Sequence, residues 1–125
     1  MPDSSFSEHT QRILDIIDEL LSTGQAVRVE QTIDQRSTLR GFVSGVLSFD
    51  DGSELHYREF VDASLPEPRL MYAYHYQNHS GVLVFRYDNA AHKPPLPQPE
   101  HKHSSSGIET SPAPTFESVI DEILG

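Results

Sequence analysis

Five of the seven histidines in this 125-residue chain fall between Tyr72 and His103, at positions 75, 79, 92, 101 and 103. Imidazole is the side chain whose ordinary pKa lies nearest neutrality, so such a cluster suits proton transfer or metal ligation. Arg86 and Asp88 lie among them and add a fixed cation and a carboxylate. Upstream, His56 and Arg58 are two residues apart, the spacing that puts both on one face of a strand. Cleaving RNA without a metal needs few parts. A base takes the ribose 2′-hydroxyl proton, an acid protonates the departing 5′ oxygen, and cations stabilise the phosphorane. In that chemistry Arg86 is the phosphate clamp and His75 and His92 carry the protons. His56, Arg58, His101, Lys102 and His103 are the substrate contacts.

Each of these residues also has a structural reading. Arg86 with Asp88 makes a plausible ion pair at a sheet edge, and Asp88-Asn89 suits the turn that ends a strand. His75, between tyrosines, fits a hydrogen-bonded sheet histidine, and His56 fits one bonded to a neighbouring strand. His9 and His79 read as solvent-exposed. A zinc site drawn from Asp88, His92, His101 and His103 has suitable ligand types. The stretch between His92 and His101 is rich in proline, however, and offers no secondary structure to orient the imidazoles. No metal and no other cofactor is assigned. Ser104–Ser106 lacks the glycine elbow and partnered base of a serine nucleophile.

These residues must be held by a scaffold, and its pattern is legible. Ser5-Phe-Ser-Glu8 fits a capping box, and Ile13, Ile16, Ile17, Leu20 and Leu21 recur at helical spacing up to Gly24. This predicts a helix over 6–22 with one apolar face on a sheet. Val27, Val29 and Ile33 alternate with polar residues as a first strand. Leu39–Phe49 and Glu54–Val61 flank Asp50-Asp-Gly52, a hairpin turn in which glycine supplies positive φ. That register sets Leu47 opposite Leu55 and Gly45 opposite Tyr57, and it places Phe42, Ser44 and Val46 on the face of His56, Arg58 and Phe60. Leu70–Gln77 and Val82–Tyr87, joined by Asn78-His-Ser-Gly81, form a second hairpin. A four-residue turn there pairs His75 with Val84 and Ala73 with Arg86. Tyr72, Tyr74, Tyr76, Leu83, Phe85 and Tyr87 then make an aromatic core face, with His75 and Arg86 on the other.

The expected fold is α+β: an N-terminal helix on a mostly antiparallel five-stranded meander sheet, with a short C-terminal helix. Residues 1–92 form the domain and 93–114 a Pro/Ser/His-rich linker, because Lys93-Pro-Pro-Leu-Pro-Gln-Pro99 cannot be helix or central strand. Residues 115–125 form an amphipathic helix capped by Thr115. It is too short to stand alone and needs this sheet or another protein to dock on. Its tether makes it semi-detachable, with partner binding as its expected role.

Composition narrows the function. The formal charge is −10, unlike the basic surface of a general nucleic-acid binder. It is unevenly spread. Residues 1–55 hold ten acids and four arginines, while 56–103 hold five of each sign and six histidines. Cysteine is absent, which removes disulfides and thiolate metal sites. No apolar run reaches membrane-spanning length, and the first residues lack a basic leader. The reading is a protein of the cytoplasm with no membrane partner.

Asp51-Gly-Ser-Glu-Leu-His-Tyr-Arg-Glu-Phe60, Tyr74-His-Tyr76, Phe85-Arg-Tyr-Asp-Asn89 with His92, and His101-Lys-His103 resemble a family of small prokaryotic proteins, the TumE-type component of toxin–antitoxin systems. The likeness covers roughly residues 39–124, and Ala91 stands where the family has proline. The resemblance implies a toxin paired with a helix-turn-helix antitoxin protein. With the residues above, the expected function is a metal-independent ribonuclease toxin acting on RNA, with a homodimer as a further expected assembly. The alternative is a non-catalytic module that binds or regulates a partner protein, for which the acidic N-terminal helix and the C-terminal helix argue.

Overall fold

The computed structural model describes residues 5–90 and 100–125. His92 therefore lies outside the described residues. Helix α1 spans Phe6–Ser22, and the Ser5 side chain caps it by accepting from the Glu8 amide. Seven strands follow: β1 (Ala26–Gln35), β2 (Arg40–Phe49), β3 (Glu54–Asp62), β4 (Arg69–Gln77), β5 (Leu83–Asp88), β6 (His101–Ser104) and β7 (Gly107–Thr110). Helix α2 spans Phe116–Leu124. The sheet order is β1 to β7 without crossovers, and each neighbouring pair runs antiparallel. The α+β class and the antiparallel meander are as the sequence predicts; the strand count is not. β6 and β7 fall inside the expected 93–114 linker, where Gly107 at φ 116° closes a short hairpin. Runs of four residues are too short to show alternation against a serine- and proline-rich background.

The β2–β3 register is the expected one, with Leu47 opposite Leu55 and Gly45 opposite Tyr57. A Cβ on Gly45 would lie 2.5 Å from the Tyr57 hydroxyl, so only glycine admits that ring. The β4–β5 register differs from expectation by two residues. His75 faces Arg86 and Ala73 faces Asp88, because a bulge follows Tyr76 and Gln77 pairs with Leu83. A shift of two keeps each residue on its face, so His75 and Arg86 remain together. Leu83, opposite Gln77, leaves the aromatic face and is exposed.

The core lies between the sheet and the two helices. It joins Ile13, Ile17 and Leu20 of α1, Leu47, Leu55, Tyr57, Tyr72, Tyr74 and Phe85 of the sheet, and Phe116, Val119 and Ile120 of α2. Helix α2 docks on its own sheet, with Phe116 against Tyr57 at 5.2 Å between ring centroids. Thr115 and Ser118 cap it reciprocally. The Tyr87 hydroxyl donates to Glu122 at 2.6 Å and Lys102 Nζ to Glu122 at 2.9 Å. Among the described residues both helices lie on one face, and the other face of the sheet is open.

Candidate active site on the open sheet face

The open face gathers the histidines by register alone. Val46 faces His56, His56 faces His75, His75 faces Arg86, and Arg86 faces His103. One row across five strands thus carries three imidazoles and a guanidinium. The next row on the same face runs Ser44, Arg58, Ala73, Asp88 and His101. Because alternate residues share a face, the two rows lie side by side. Between them the face is hollowed into a groove of about 450 Å³ lined by Ser44, Val46, His56, Arg58, Ala73, His75 and Arg86 among others. Small side chains at 44 and 73 leave the floor open.

The imidazoles are steered by their own strands. His56 Nε2 lies 3.1 Å from Glu54 Oε1, and His75 Nε2 lies 3.1 Å from Gln77 Oε1. The two rings meet edge to face with centroids 5.9 Å apart. Burial pushes the His75 pKa below the usual histidine value, and the Arg86 and His56 charges push the same way against the Gln77 hydrogen bond. A neutral imidazole is what a general base requires.

Asp88 anchors the second row. Its side chain is 6% exposed. Arg86 Nε donates to Asp88 Oδ2 at 2.9 Å and the Ala90 amide to Oδ1 at 3.1 Å. His101 Nε2 lies 2.6 Å from Asp88 Oδ1 and His103 Nε2 3.5 Å from Oδ2. The Arg86–Asp88 pair and the turn role of Asp88 are therefore both realised. Arg86, the donor in that pair, also lines the groove.

The other predicted residues divide. His56, Arg58, His75 and Arg86 share the groove, and His101 and His103 flank it on β6. Lys102 points to the covered face, where its ammonium sits 5.0 Å from the Tyr87 ring centroid and pairs with Glu122. It is separated from the site because alternation along β6 sends it the opposite way from His101 and His103. His79 is exposed in its turn, as expected.

His9 is not exposed; its side chain is 13% accessible and it pairs with Glu59. Glu59 is 1% exposed on the covered face. It also accepts from the Tyr74 hydroxyl, and Tyr74 in turn accepts from Arg69 at 2.9 Å. Arg69 reaches Glu67 at 2.8 Å and the Pro114 carbonyl just before α2. This network borders a cavity of about 320 Å³ between α1, the β3–β4 connection and the start of α2. Sequence reasoning missed it. The signal was available: Glu59 breaks the apolar alternation Leu55, Tyr57, Val61, and His9 precedes Ile13 and Ile16 at helical spacing.

A family model described as Toxin TumE matches residues 13–125, nearly the whole chain. No curated protein and no solved structure matches.

Proposed function

The chain belongs to the TumE toxin family, and we propose that it acts as a ribonuclease through the open face of its sheet. The observation that carries this reading is the in-register row His56, His75, Arg86 and His103 beside a groove. Arg86 clamps the phosphodiester, with its Nε held by Asp88 and its remaining donors available to bind oxygen in a forked geometry. His75, kept neutral by burial, removes the 2′-hydroxyl proton. His56, with its ring 5.9 Å away, returns a proton to the leaving 5′ oxygen, the role first expected of His92. Arg58 and His103 extend the cationic track along the strand. The step uses side-chain acid–base chemistry throughout. The acidic remainder of the chain confines anion binding to this face and suits a basic partner. That partner is an antitoxin, and a helix-turn-helix antitoxin protein carrying basic residues fits the acidic ends.

Expression of the chain alone in a bacterial host tests the reading. Wild type is expected to arrest growth and to cleave RNA in extracts, and Arg86→Ala to lose both while remaining folded. Normal growth with soluble wild-type protein overturns catalysis. A second reading, a non-catalytic module that binds its partner by this face, has one observation in its favour. Phe42 and Phe60 stack at 4.4 Å on the same face, the kind of aromatic pair that anchors protein interfaces.

A further inference from the structure

Beyond that reaction, we propose that Asp88, His101 and His103 form a binding site for a divalent transition metal of the zinc class. One ligand atom from each residue lies within 4.8 Å of the other two. The strands explain why. His101 and His103 are alternate residues of β6 and share its open face, while Asp88 stands directly opposite His101 on β5. Both imidazoles therefore turn their Nε2 atoms toward one carboxylate, at 2.6 and 3.5 Å. Their rings are 4.9 Å apart.

The spacing fits an ion. Zinc holds nitrogen and oxygen ligands at about 2.0–2.2 Å, which in a tetrahedron separates the ligand atoms by roughly 3.3 Å. The 2.6 and 3.5 Å contacts are made to different Asp88 oxygens, Oδ1 and Oδ2. With one ligand atom from each residue the set lies within 4.8 Å, so side-chain rotations of about 1.5 Å or less bring it to the tetrahedral spacing. The donor set selects the metal class. Two imidazoles and one carboxylate favour zinc, cobalt or nickel, whereas magnesium and calcium prefer oxygen. Among the described residues three protein ligands converge, one fewer than the four of a closed zinc site. Support behind the ligands is also present, since Arg86 and the Ala90 amide hold the Asp88 carboxylate in place. Asp88 and His101 are buried, and His103, 24% exposed, marks the accessible side.

Such an ion would do two things. It would cross-link β5 to β6, a strand of only four residues. It would also add positive charge beside Arg86, on the face proposed to hold a phosphodiester. The inference does not depend on RNA cleavage, because the ligands and their convergence stand without it.

Calorimetric titration of the tag-free, chelator-stripped full chain with zinc chloride tests it, with cobalt chloride as a spectroscopic probe. Zinc is expected to bind one to one. Cobalt is expected to give the strong visible absorption of a four-coordinate site. His103→Gln, at the most exposed ligand, should weaken zinc binding on the order of 100-fold, and His101→Ala with His103→Gln should abolish the cobalt spectrum. Arg86→Gln, which removes only support, should weaken it about 10–100-fold. Circular dichroism shows that each variant is folded before titration. Absence of binding to wild type, or equal binding to wild type and the double variant, overturns the site. The titration contains no RNA, so a chain that binds zinc but does not cleave counts against the proposed reaction alone.

Discussion

Two strand carboxylates, one on each face of the same sheet, show how coverage decides what similar chemistry is for. Glu59 on β3 and Asp88 on β5 are both almost wholly buried, and each holds histidine. Glu59 gathers partners from distant segments: His9 of α1, Tyr74 of β4, and through Tyr74 the Arg69 link to the chain entering α2. The network ties α1, β3, β4 and the chain entering α2 to one another, and both helices close over it. Asp88 gathers partners from its own strand, its own turn and the next strand, on a face that neither helix covers. The first arrangement pins the fold together. The second leaves the Arg86 guanidinium and the His103 imidazole partly exposed on the uncovered face, where a ligand can meet them.

The largest effect should follow from opening the covered face. Deleting residues 111–125 removes Phe116, Val119 and Ile120 from the core. At about 1.5–3 kcal/mol for each buried side chain, the loss is roughly 5–9 kcal/mol. A domain of this size has only about 5–15 kcal/mol of stability. The truncated chain is therefore expected to lose its cooperative thermal transition, which circular dichroism would show. A truncated chain that melts cooperatively near the wild-type temperature would restore the semi-detachable helix read from the sequence.

The next effect separates the two carboxylates. Glu59→Ala leaves His9 and the Tyr74 hydroxyl without their buried acceptor, and breaking a buried pair from one side costs about 3–5 kcal/mol. Arg86→Ala leaves Asp88 still contacted by His101 and the Ala90 amide, and Arg86 is about a third exposed. Its stability cost should be about 1–3 kcal/mol, below that of Glu59→Ala, with growth arrest lost all the same. Urea denaturation of both variants checks the contrast. Equal destabilisation would mean that the open face is as structural as the covered one.

How much of this was legible depended on sequence distance and strand length. Helix α1, the Gly45–Tyr57 contact and the shared faces of His56 with Arg58 and of His75 with Arg86 follow from periodicity and turn length, which are local properties; that the two faces coincide depends on the β3–β4 register. The β4–β5 pairing missed by two because a bulge carries no residue signature at Tyr76 and Gln77. β6 and β7 were hidden because four-residue strands between serines and prolines show no alternation. With them went the orientation of His101 and His103, which had read as loop residues, and the separation of Lys102 onto the covered face. The Glu59 network needed contacts across 50 residues, from His9 to the strand. Only a charge at a core position hinted at it.

The finest test concerns the protonation of His75. Its folded pKa lies below the ordinary value of 6.5, chiefly because burial disfavours the charged ring. Arg86 facing it from β5 and His56 from β3 act in the same direction. The Gln77 hydrogen bond opposes them, and Gln77 is itself bonded to Glu54. Between the folded pKa and 6.5 the unfolded chain binds a proton here that the folded chain does not. The His75 contribution to stability is therefore complete above pH 6.5 and is lost as pH falls through the folded value. The same depression keeps the base neutral, so the acid limb of the cleavage profile should lie below pH 6.5. Proton NMR titration of the imidazole C–H signals, with His75→Gln for assignment, should place the His75 midpoint below 6.5. Arg86→Gln should raise it without reaching the ordinary value, because burial is the leading cause. A wild-type midpoint at or above 6.5 would mean that the row is too solvated to tune its base, and the groove would lose its claim to catalysis.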